Sequence, residues 1–240
     1  MSLADTLNHL LAWTPYLLGG FGLNILISLV AMLVGTAAGW VLALLRVSQH
    51  PRRVRAALVA TELSRSIPTI VFQFYLAFMF PVELLVPFTT QVVTFPVWLK
   101  AALALAVAVV GFTSDNLAVA LQEWKNGNHR AAFLFVPSWT SYALIIVMAS
   151  STASIIGVSE LVSRCNTVIN ATGNTQLMLP IYLYACLFFF AFCWPLTLLM
   201  KRISATLARR LAPPRGEGEG EGDGAVAGRG AGERWPVTEG

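Results

Sequence analysis

The chain has 240 residues, 56% of them hydrophobic and only 12% charged, with a mean hydropathy of +0.68. A soluble globular domain carries about 25% charged residues, so half that share, with long uncharged runs, excludes an ordinary soluble enzyme and points to an integral membrane protein. The formal net charge of +4 is not a nucleic-acid footprint, because the basic residues sit in short clusters beside apolar blocks, as cytoplasmic membrane flanks do.

Residues 1–20 read as a short interfacial lead. Asp5 and Thr6 would cap a turn, and Thr14-Pro15 and Gly19-Gly20 are expected to break it. It lacks the basic start and cleavage site of a signal peptide and is expected to be retained. Residues 21–45 carry no charge and exceed the about 20 residues that a span needs. Gly35 and Gly39 have the spacing that lets a second helix come close, a common spacing in any apolar run. A basic turn follows, with Arg46, Arg52, Arg53 and Arg55 around Pro51.

Residues 56–80 are expected to form a second continuous span. Glu62 and Arg65 lie three apart near its start, ahead of Ile67-Pro68. They read either as an intrahelical ion pair at the membrane edge or as a helix-start motif that pairs with another loop or subunit. Residues 81–96 hold Glu83 and three prolines but no Lys or Arg, and read as a loop with a short surface helix. The third span covers 97–121, with Lys100 placed to snorkel at one end. Asp115 and Asn116 lie towards the other end. An acid in a span is by default a functional or pairing group, and the alternative is that Asp115 sits at the interface.

Residues 122–130 form a polar hinge. The next uncharged block runs to Ser159, and Pro137 places the start of the fourth span, 137–159, because proline suits a first helical turn. Its middle holds Ser150, Ser151, Thr152, Ser154 and Gly157. These are either small residues for tight packing or a hydroxyl-lined, partly unwound stretch facing a polar substrate. A polar loop with Glu160, Arg164 and Cys165 leads to a fifth span, 177–200. The tail 211–240 is a run of glycine and acid that cannot bury a core and is expected to be disordered.

Cys186 and Cys193 lie seven apart inside the fifth span and read as small buried hydrophobes. No disulfide framework, metal site, catalytic residue or nucleotide-binding motif is present in the sequence: HExxH, CxxC, Walker A, GxSxG and GxGxxG are all missing. The chain therefore reads as a non-enzyme that binds no cofactor. Loops 46–55, 123–130 and 201–215 hold four, two and five Lys or Arg, whereas the alternate segments 1–20, 81–96 and 160–179 hold only Arg164. The positive-inside rule then puts the N-terminus outside and the C-terminus in the cytoplasm. The expected fold is all-α, an integral membrane bundle of five transmembrane helices over residues 21–210.

Four stretches carry a family resemblance: TELSRSIPTIVFQFYLAF at 61–78, GFTSDNLAVALQ at 111–122, GNHRAA at 127–132 and SSTASIIGVSELVSR at 150–164. Together they resemble the permease subunits of ATP-binding-cassette importers for polar amino acids, the histidine, glutamine and arginine uptake type. The resemblance spans about residues 18–205 and implies a type I ABC-importer permease-like bundle in the inner membrane that works by alternating access. It implies an ABC ATPase subunit, which would hold the ATP, an extracytoplasmic solute-binding protein and a second permease subunit, equal or different. It makes Gly127, His129, Arg130, Ala131 and Ala132 the candidate ATPase-coupling loop, and Ser150, Ser151, Thr152 and Ser154 the candidate substrate pathway. Glu62, Arg65, Asp115 and Glu160 become the candidate intramembrane or interface charges. Three departures stand out, one being Met148 where a basic residue is usual ahead of the fourth-span hydroxyls. Arg130 occupies a position where the family has an acid, and Ala132 runs almost at once into FLFVP, so the coupling segment is about ten residues short.

Overall fold

A computed structural model of the chain describes residues 3–85 and 92–210; the side chains at 3–5, 84–85, 92–93, 130 and 207–210 fall outside the description. The tail beyond Arg210, the cap assigned to Asp5 and the side chain of Arg130 therefore lie outside the described residues.

The described chain is a helical bundle. Helix α1 covers Leu3–Arg46, α2 Pro51–Ser66, α3 Thr69–Met79, α4 Val97–Lys125, α5 His129–Phe133, α6 Phe135–Ala149, α7 Leu161–Thr172 and α8 Met178–Arg210. A 3-10 helix at Ser150–Ile156 continues α6, and a second, Thr175–Leu177, precedes α8. Two three-residue strands, Glu83–Leu85 and Val92–Thr94, pair antiparallel where a loop and surface helix were expected. Among the described residues, four stretches are long and apolar enough to cross a membrane: Thr6–Arg46, Val97–Lys125, Ala131–Ile156 and Thr175–Thr206.

The expected second span is broken instead of continuous. Proline clashes with a helical residue before it, and Ile67 accordingly turns extended at φ −95°, ψ 125°. Helix α3 restarts after Pro68 and has 11 residues, about 16 Å of a hydrocarbon core about 30 Å thick. Its far end is held by Lys100, whose Nζ donates to Ala77 O at 3.3 Å and Phe80 O at 2.6 Å. Lys100 is thus buried and satisfies orphan carbonyls at a helix C-terminus; it does not snorkel.

The expected breaks in the N-terminal lead also do not occur. Gly19 and Gly20 are packing residues: a Cβ on Gly20 would lie 2.7 Å from Arg164 Cδ and 3.0 Å from the Leu161 backbone. The lead and the first span are one helix that α7 crosses closely. Helix α7 replaces the expected polar loop, because Leu161, Cys165 and Val168 recur at helical spacing and are buried. Burial pushes the Cys165 thiol up to about 12, which leaves it inert.

Cross-contacts fix the helix directions. Gly35 meets Val109 and Gly39 meets Thr113, so α1 and α4 run parallel. Trp139 Nε1 donates to Thr36 Oγ1 at 2.8 Å, and Asn24 Nδ2 to Ser150 Oγ at 2.9 Å, so α6 runs antiparallel to α1. Thr14 and Tyr184 share a hydrogen bond of 2.9 Å, and Phe21 packs on Phe188 and Phe192, so α8 is parallel to α1. The basic segment 46–55, Lys125 and the Lys201–Arg202 end of α8 therefore share one end of the bundle.

Candidate functional site

The break at Ile67–Pro68 opens a polar cavity of about 470 Å³ between α2, α3, α4 and α6. Arg65, Asp115, Asn116 and Tyr142 supply its polar wall, and Ala108 and Phe112 its apolar floor. Phe112 and Tyr142 stack face to face, centroids 3.9 Å apart. The wall exists because Gly111 lets α2 approach α4: a Cβ there would stand 2.6 Å from Arg65 Cγ and 2.7 Å from Ser64 Oγ. Thr61 and Ser114 complete the seam with a 2.7 Å hydrogen bond.

Asp115 is the centre of this site. One carboxylate oxygen accepts from Arg46 at the end of α1 and the other from Arg65 on α2. One acid thus ties three helices. Asp115 is therefore a paired acid. Arg65 bonds across to α4 and not to Glu62, which is exposed and makes no ion pair among the described residues. Asp115 and Asn116 also line a second space of about 380 Å³, formed with Glu123, Ala131, Leu134 and Ser138. A two-residue wall therefore separates the α2–α3 break from the α4–α5 hinge.

At that hinge Gly127 takes φ +81°, a left-handed conformation that favours glycine. Asn128 N donates to Glu123 O at 2.9 Å, closing the end of α4, and Asn128 Oδ1 accepts from Ala131 N to start α5. Ala132 is buried against Ala43, Leu117 and Ala118, while Ala131 faces the 380 Å³ space. His129 packs on Trp124 with centroids 4.3 Å apart, and Phe133 flanks the same indole. Trp124 and Leu134 are each more than half exposed, so the hinge ends in an aromatic knob.

The four hydroxyl residues divide. None lines the 470 Å³ cavity. Ser151 and Ser154 donate to backbone three residues back, to Met148 O and Ser151 O. Thr152 Oγ1 accepts from the buried Gln73 Nε2 at 2.9 Å, joining α3 to the 3-10 stretch. Ser150 accepts from Asn24, whose Nδ2 also donates to Glu160 Oε2 at 2.9 Å and whose Oδ1 accepts from Leu161 N at 3.0 Å. Glu160 in turn caps α7, accepting from Val162 N and Ser163 N at 3.0 and 2.9 Å. Asn24, Gln73 and Arg46 were missed as site residues in the sequence; a lone amide in an uncharged span was the available signal, because buried polar groups require partners.

Glu160 lies between the spans and is fully buried. Burial raises its carboxyl above the ordinary value, against the pull of Asn24 and the α7 amides. A raised folded-state value means its contribution to stability is complete below the ordinary carboxyl range and is lost as pH rises through the raised value. The melting temperature of purified protein is expected to fall with pH over that window in the wild type and less steeply in Glu160→Gln. Parallel curves would exclude this role.

No family model and no curated protein sequence matches the chain. Among solved structures, a chain of an amino acid ABC transporter with histidines is similar, with a TM-score of 0.67 at 18% identity over 88% of this chain and 100% of that one. The fold is therefore that of an all-α ABC-transporter permease-like bundle.

Proposed function

We propose that the chain is the transmembrane subunit of an ATP-driven importer that moves polar amino acids across the inner membrane by alternating access. The observation that carries this reading is the polar cavity inside a bundle of this fold. Its lining carries a guanidinium and a carboxylate, paired with each other, beside an amide and a phenol hydroxyl; a zwitterion entering here would exchange its own charges for that pair. The similar solved structure is that of an amino acid ABC transporter with histidines. The basic end of the bundle faces the cytoplasm by the positive-inside rule, so the N-terminus is periplasmic and the C-terminus cytoplasmic. ATP belongs to a separate ABC ATPase subunit, and an extracytoplasmic solute-binding protein and a second permease subunit complete the assembly.

In this mechanism the ATPase seats on α5 and the Trp124–Leu134 knob. A displacement of α5 reaches α4 through Ala132, packed on Leu117 and Ala118, and Asp115 on the same helix passes it to Arg65 and the α2–α3 break. The 3-10 stretch Ser150–Ile156 then follows α3 through Gln73–Thr152. Uptake of a radiolabelled polar amino acid into vesicles with all partner proteins tests the function; no ATP-dependent uptake with any second permease subunit would sink it. Trp124→Ala with Leu134→Asp is expected to reduce ATPase co-purification by about tenfold, in line with loss of an aromatic anchor. Undiminished co-purification would move the docking face elsewhere.

The alternative, a permease-like scaffold that no longer couples to an ATPase, starts from the shortness of α5, five residues long. Co-purification that depends on the knob decides against it.

A further inference from the structure

Helix α2 has an outward face that the bundle does not use. Ala57, Thr61 and Ser64 face inward and are buried. On the opposite face Arg52, Arg55, Ala56, Val59, Ala60 and Leu63 recur at helical spacing and line a groove of about 650 Å³. The groove is amphipathic along its length, with two guanidiniums at one end and only apolar side chains beyond. Arg53 adds a third exposed cation beside them. Arg46, the fourth basic residue of this segment, is taken by Asp115, whereas Arg52, Arg53 and Arg55 have no carboxylate within ion-pair distance among the described residues. Among the described residues no acid relieves their mutual repulsion, at the helix end where the backbone dipole already favours anions.

A free inorganic anion would satisfy the arginines and leave Val59 and Leu63 uncovered, at 54% and 57% exposure. An apolar helix would cover the strip and leave three cations unpaired. An anionic head joined to an acyl chain satisfies both halves. We propose that this face of α2 binds an anionic phospholipid, with the phosphate on Arg52 and Arg55 and the acyl chain along Ala56, Val59 and Leu63. The site lies at the basic end of the bundle, and basic clusters beside spans recruit anionic lipid.

Native mass spectrometry of the full-length protein in mild detergent, with phosphatidylglycerol or phosphatidylcholine of equal chain length added, tests this. Phosphatidylglycerol is expected to bind at least about tenfold more tightly than phosphatidylcholine. Arg52→Gln with Arg55→Gln is expected to lower that affinity by about 30-fold, from about fivefold per guanidinium. Lys201→Gln with Arg202→Gln, an equal charge change at the same end of the bundle, is expected to leave it unchanged, and all variants should melt alike. Equal binding of the two lipids, or equal losses in both double variants, overturns the proposal. So does glycerol phosphate competing as well as the lipid, which would make it a free-anion site. Efficient disulfide crosslinking of Val59→Cys between two copies in membranes would give the face to a second subunit and overturn it as well.

Discussion

Gly35→Ala is expected to destabilise the bundle by about 1–3 kcal/mol, and Gly35→Leu to prevent its assembly. On an isolated helix the sign would be the reverse, since alanine is better than glycine by about 1 kcal/mol. Packing decides. A Cβ on Gly35 would lie 2.4 Å from Val109 Cβ and 2.6 Å from Ala106 O, and one on Gly39 2.6 Å from Thr113 Cβ and 2.9 Å from Val110 O. The carbonyls belong to the α4 backbone and cannot rotate away, so the two helices must separate. Separation loosens the buried layer of Ile27, Ala31, Ala102, Leu105 and Val109 between them. Gly22, on the same helix, is the internal control: its Cβ would meet nothing within 4 Å, so Gly22→Ala should be neutral or gain about 0.5–1 kcal/mol. Unfolding in a graded denaturing detergent measures both. Equal stabilities for Gly22→Ala and Gly35→Ala would mean that the α1–α4 contact does not limit stability.

Those two glycines show what the sequence could and could not say. Their spacing was visible, but nothing in a single chain tells a packing pair from a chance one, because the partner helix lies over 70 positions away. Hydropathy located the long spans well, since length and charge depletion are local properties. It failed where a backbone preference outweighed composition: 56–80 carries no charge in its second half, yet Pro68 divides it. It also failed where amphipathic spacing hid in a polar stretch, as in α7. Gly19-Gly20 read as a break because glycine is a poor helix former, and only the proximity of Arg164 and Leu161 explains why the helix keeps them. Among the candidate charges, Arg65, Asp115 and Glu160 were legible as residues that need partners. The partners were not, because Arg46 looked like one more basic flank and Asn24 like a tolerated amide in a span 136 residues from Glu160.

Asp115→Asn is expected to be more damaging than the loss of either arginine. The substitution leaves Arg46 and Arg65 facing one another across a partly buried seam, with side-chain exposures of 18% and 58% and no other acid in ion-pair reach among the described residues. Removing one partner of a buried pair costs about 3–5 kcal/mol, and an exposed pair contributes about 0.2–1 kcal/mol. This half-exposed triad should fall between, at about 1–3 kcal/mol by the same two limits. Arg65→Gln removes the better-solvated arm and leaves Arg46 paired, so it should cost less. The double variant Asp115→Asn with Arg65→Gln should recover part of the loss, because it deletes the unpaired cation as well as the acid that paired it. That non-additivity is the signature of a shared carboxylate, and a merely local packing defect would give additive losses. Uptake should respond more steeply than stability. Asp115 lines both the cavity at the helix break and the space behind α5, so the proposed stroke has to cross it. ATP hydrolysis by the assembled transporter should persist in Asp115→Asn while uptake falls at least about tenfold, the rate equivalent of about 1.4 kcal/mol. If hydrolysis and uptake fell together in proportion to folded protein, Asp115 would be a brace for α2 and would not carry the stroke.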